Sequence, residues 1–146
     1  MKTALLAVLL LTLHMASAGE AHRASKVEII KVRFDLITRQ ALSEERMRSV
    51  GCTFASTDKD VLDAVSAWVS AVRVPASAGT VGIDPRLLIR LTGDREDVLV
   101  YGSAKDAAGR FVGTKNGVEV SASEEELERL FSLVKRMTLR ADRGEC

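Results

Sequence analysis

The chain has 146 residues, of which 21 are basic and 20 acidic, and 47% of it is hydrophobic. A balance this even lacks the surplus positive charge on which general nucleic-acid or anionic-membrane binding relies. The length suits one domain and is enough to bury a core of its own.

Residues 1–18, MKTALLAVLLLTLHMASA, carry a positive start at Lys2, an apolar run broken only by Thr12, and a small-x-small site at Ala16-Ser17-Ala18. This pattern predicts a secretory signal peptide cleaved near Ala18, and so a secreted or periplasmic product. The apolar run is short of the roughly 20 residues a spanning helix needs, and charged residues follow, so no stable membrane anchor is expected. Residues 19–25 read as a mobile leader, residues 26–138 as a single α+β domain, and residues 139–146 as a charged tail. The two cysteines, Cys52 and Cys146, lie beyond the signal. An exported pair of this kind most often forms a disulfide, with two free thiols as the alternative.

The longest alternating run follows, KVEIIKVRFDLITR at residues 26–39. Ile30, Val32, Phe34 and Leu36 share one parity, and Lys31, Arg33, Asp35 and Arg39 the other. A strand over residues 26–38 is expected, with its even residues in the core and its charged face open. Ser43 caps a short helix with Glu44 and Glu45 in its first turn and Gly51 as its stop. Cys52 and Phe54 read as a connector. Thr57-Asp58-Lys59-Asp60 opens a second helix with capping-box spacing, and Val61, Val65, Trp68 and Val72 form its apolar stripe. Trp68 reads as core. Residues 75–85 hold both prolines and read as a loop.

Strands are expected at 86–92, 98–103, 110–115 and 118–122, the last two joined by Asn116-Gly117, the strongest short hairpin signal. Ser123 and Glu126 complete a capping box for the last helix, whose stripe is Leu127, Leu130, Phe131, Val134 and Met137. The order is β-α-α-β-β-β-β-α. The expected fold class is α+β, an antiparallel sheet of about five strands with two main amphipathic helices on one face.

The histidines are His14 and His22; one leaves with the signal and the other lies in the leader. A Ser-His-Asp or Cys-His centre therefore has no placed base, and neither zinc spacing, a calcium loop nor a phosphate-cradling glycine loop is present. No cofactor and no metal is expected. The acid pairs Asp58/Asp60, Asp94/Asp97 and Glu124–Glu126 are the only grounds for a carboxylate-based hydrolase, and two of the three have simpler work at helix N-termini. On the open sheet face, Lys31, Arg33, Arg90 and Arg110 form a basic set. Such a face is either solvated, with charges deterring edge pairing, or a docking surface for a protein partner that is acidic where it makes contact.

In size, compartment and architecture the build resembles small exported bacterial proteins that bind and neutralise another protein, such as periplasmic immunity proteins and hydrolase inhibitors. The resemblance implies a non-enzymatic binding protein. The alternative is a carrier of a small molecule or lipid, with a cavity lined by Trp68, Phe34 and Phe131.

Overall fold

The computed structural model describes residues 23–75 and 82–142. In chain order these form β1 (Ala24–Lys31), α1 (Glu44–Val50), β2 (Cys52–Ser56), α2 (Lys59–Ala71), β3 (Pro85–Gly93), β4 (Glu96–Lys105), β5 (Phe111–Lys115), β6 (Val118–Ala122), α3 (Glu124–Val134) and β7 (Thr138–Asp142). The strands make one seven-stranded antiparallel sheet in the order β6-β5-β4-β3-β1-β2-β7. The class is α+β, as expected, with the three expected helices but with seven strands where about five were expected. Residues 1–18, read above as a signal peptide, lie outside the described residues, as do His22 and Cys146.

β2 stands where the sequence suggests a connector, and β7 where it suggests a tail. Both have five residues, too few for alternation to declare itself, and TLRAD has little β-propensity. Their stability comes from tertiary pairing instead. β2 lies between β1 and β7, with Lys31 opposite Cys52 on one side and Asp142 opposite Cys52 on the other. The sheet also begins at Ala24, inside the segment read as a leader.

The parity of β1 is the main correction. Val27 and Ile29 enter the large core with α2 and α3, while Ile30 and Val32 enter a second, smaller core with Leu42, Met47 and Leu88. Both faces of β1 are therefore buried, and the open charged face is not there. The strand is also shorter than expected. It ends at Lys31, and residues beyond Val32 turn, with Leu36 N–H donating to Arg33 O at 3.2 Å. That turn carries Phe34 back against the large core, where its ring meets Phe111 at 5.2 Å and Phe131 at 6.4 Å between centroids.

The helices begin where side chains can satisfy their first N–H groups. Ser43 Oγ accepts from Arg46 N–H at the start of α1. Asp58, rather than Thr57, caps α2 and accepts from Asp60 and Val61 N–H. Ser123 and Glu126 form the expected reciprocal capping box on α3. α2 buries Val61, Leu62, Val65 and Val69, and α3 buries Leu127, Leu130 and Val134, against Leu87, Ile89, Leu91, Leu99 and Tyr101 of the sheet. Asn116 and Gly117 take positive φ of 50° and 82°, as a tight hairpin demands. Gly113, opposite Tyr101, leaves room for the tyrosine ring: a Cβ there would meet ring carbon at 2.6 Å. Among the described residues no helix is long and apolar enough to cross a membrane.

Candidate functional site

Residues 32–43 connect β1 to α1, and one buried side chain governs their shape. Arg86, at the start of β3, is 2% exposed. Its Nη1 donates to Asp84 Oδ1 (2.7 Å) and Pro85 O (2.9 Å). Its Nη2 donates to Asp84 Oδ2 and to Leu36 O (2.7 Å). Asp84 Oδ1 in turn accepts from Leu42 N–H at 3.3 Å, and Val32 N–H donates to Arg86 O at 2.7 Å. The planar guanidinium thus spans a fork to one carboxylate while holding the loop backbone. Pinned at Leu36 and Leu42, the loop presents Ile37, whose exposure is 96%. Ile37, Thr38, Arg39, Gln40, Leu42 and Arg46 line a shallow cleft of about 430 Å³.

Beneath α1 lies a network of four charges. Arg90 donates to both oxygens of Glu44 at 2.9 and 2.8 Å, and Arg48 donates to Glu44 at 2.8 Å and to Glu28. The bonds from Arg90 and then Arg48 pull Glu44 down to about 2 from its ordinary value, against the opposing effect of burial. Glu28 is lowered mainly by Arg48. Arg90 is correspondingly raised by its bonds to Glu44.

The sequence groups Lys31, Arg33, Arg90 and Arg110 on one face; the structure does not bring them together. The Lys31 ammonium sits over the Phe131 ring, 4.7 Å from its centroid, on the α3 side of the sheet. Arg110 also points to α3, with bonds to Ser121 Oγ (3.0 Å) and Glu126 Oε2 (2.7 Å). Arg90 belongs to the α1 side. Arg33 lies at the start of the loop, paired with Asp35.

The acid pairs are also occupied with structure. Asp58 caps α2. Asp97 Oδ1 accepts from Asn116 Nδ2 at 2.8 Å, while Asn116 Oδ1 takes Val98 N–H, tying the β5–β6 turn to β4. Glu126 serves the α3 cap and Arg110. Among the described residues there is no histidine and no group of three His, Cys, Asp or Glu side chains arranged to hold a metal. Trp68 belongs to the core: its Nε1 donates to Glu126 O at 2.8 Å, and its ring meets Tyr101 edge-on. The Tyr101 hydroxyl is pushed upward by desolvation. Cys52 is buried, and among the described residues no cysteine is free.

Sequence reasoning passes over both Arg86 and Ile37. Ile37 does leave a trace there, as an apolar residue set between Asp35 and Arg39 on the parity that is charged from Lys31 onward. Comparison with family models, characterised proteins and solved structures finds no match for this chain, so a functional reading rests on the geometry of the loop and its surroundings.

Proposed function

We propose that the chain is an exported, non-enzymatic binding protein of the inhibitor or immunity type, and that it docks on a protein partner through the loop of residues 33–43. One observation carries this reading: a 96% exposed Ile37 stands on a segment whose backbone is held by the buried Arg86. An apolar side chain kept in water on a mobile loop would contribute little to binding, because ordering the loop offsets the gain. Holding the loop in advance removes much of that cost. Burial of Ile37 in a partner's pocket contributes about 1.5–3 kcal/mol, the size of an interface anchor. Arg39 and Arg46 beside it supply a basic rim, which fits a partner with an apolar pocket bordered by acidic side chains. Arg33, Arg90 and Arg110, each engaged in an internal ion pair, are less suited to it.

The test is enrichment of partners from the exported fraction of the source cells with wild type, Ile37→Asp and Arg90→Glu bait. The wild type retains a defined protein that Ile37→Asp loses by about tenfold or more, since a charge replaces an anchor in an apolar pocket. Equal retention by wild type and Ile37→Asp contradicts the reading. Arg90→Glu retaining nothing, while Ile37→Asp binds normally, moves the site to the α1 face of the sheet.

A second reading, carriage of a small molecule, draws support from the cavity at Phe34, Phe111 and Phe131, though Trp68 is not part of it.

A further inference from the structure

We propose that the cavity between the end of the loop's first turn and α3 is a binding site for a small quaternary-ammonium cation. The cavity measures about 300 Å³ and is lined by Phe34, Phe111, Leu127 and Phe131, with Glu124 and Glu128 completing its wall. That volume is at the lower end of the range for small-molecule sites.

The chemistry of the wall selects the charge of the occupant. Aromatic faces carry the negative part of the ring quadrupole. Two of these three rings already accept an ammonium group: Lys31 Nζ lies 4.7 Å from the Phe131 centroid and Lys105 Nζ 4.6 Å from that of Phe111. Neither lysine lines the cavity itself, whereas two carboxylates do. Lys105 meets Glu124 at 3.3 Å. Glu128, one turn further along α3, makes no ion pair among the described residues and is the carboxylate left to face a cation. The acids of the first turn, Glu124, Glu125 and Glu126, offset the partial positive charge of the helix N-terminus. An anion would meet carboxylates here.

The class of cation follows from hydrogen bonding. A primary ammonium seated against the three rings, which pack edge-on with centroids 5.2 and 6.4 Å apart, can bond only to the carboxylates of the wall and forfeits its other bonds to water. A quaternary ammonium has no N–H to satisfy, and its methyl groups gain from contact with rings and Leu127.

The experiment is a titration of the full chain with choline and, separately, with 3,3-dimethylbutan-1-ol, the neutral analogue of the same shape, followed by NMR of Leu127 methyl and phenylalanine ring signals. Choline is expected to shift Leu127, Phe34 and Phe131 signals and to bind about three- to thirtyfold more tightly than the alcohol, the range of a desolvated cation–π contact. Glu128→Gln, at an exposed position that leaves the fold intact, is expected to weaken choline by about threefold or more and to leave the alcohol unchanged. Equal affinities for the two probes, shifts that map to another surface, or the absence of any choline-dependent shift overturns the proposal. The cavity takes Phe34 from the loop but shares no lining residue with the cleft at Ile37, so choline binding and docking through Ile37 succeed or fail separately.

Discussion

At the scale of single residues, Arg86 has the largest effect per atom. Burial of a guanidinium is costly unless its donors are met, and here Asp84, Pro85 O and Leu36 O meet most of them. Among the described residues Nε has no partner, so the arrangement favours loop geometry over stability. Arg86→Met is expected to lower stability by about 2–3 kcal/mol, through lost charge-assisted bonds and an unpaired Asp84. It should also speed amide exchange at Leu42, whose N–H bonds to Asp84. Urea unfolding and hydrogen exchange measure both; unchanged exchange at Leu42 would contradict the clamp. Glu44 gives a pH dependence with a definite sign. Its folded-state value of about 2 lies below the ordinary 4.5, so its contribution is complete above about pH 4.5 and is lost as pH falls toward 2. At 37% side-chain exposure, solvent screening holds that contribution to about 1–2 kcal/mol. Glu44→Gln should therefore be less stable than wild type at pH 7, with the gap narrowing below pH 4.5 and closing near pH 2 in denaturant melts.

At the scale of elements, the caps and the hairpin were legible because each depends on a few adjacent residues. Ser43, Ser123 with Glu126, and Asn116-Gly117 all act as their spacing suggests. β1 was misread in face and length because its signal is mixed. Ile29 and Ile30 are neighbours of opposite parity, and an apolar pair of that kind marks a strand covered on both sides. Lys31 shares the large-core side with Val27 and Ile29 by placing its ammonium over Phe131, a long side chain burying its stem while its charge finds a partner. β2 and β7 were illegible for another reason: their pairing partners are distant in sequence, and nothing local announces them. Asp142 lies opposite Cys52, and Cys146 follows four residues later. We propose a Cys52–Cys146 bridge that fastens the edge strand β7. Alkylation without reductant should leave the mass unchanged, and Cys146→Ser should lower stability by about 2–4 kcal/mol. Two alkylated thiols would contradict the bridge.

At the scale of the molecule, the sheet separates two cores of unequal size, one under α2 and α3 and one under α1. The α+β class and the large core could be read from helical stripes that pack as their spacing implies. The candidate site could not, because the basic residues were grouped by strand parity alone. The sheet places Lys31 and Arg110 beside α3 and Arg90 beneath α1, where ion pairs hold them. What projects instead is a short loop fixed by a long-range contact between Arg86 and Leu36, a relation invisible to any local pattern. The docking proposal places a protein partner on this loop. The most direct measurement is a photo-reactive side chain placed at position 37, with a second at position 139 as an exposed control on β7, each irradiated in the exported fraction of the source cells. One defined protein adduct is expected at position 37 and none of that mass at position 139. No adduct at position 37, or the same adducts at both positions, would contradict it.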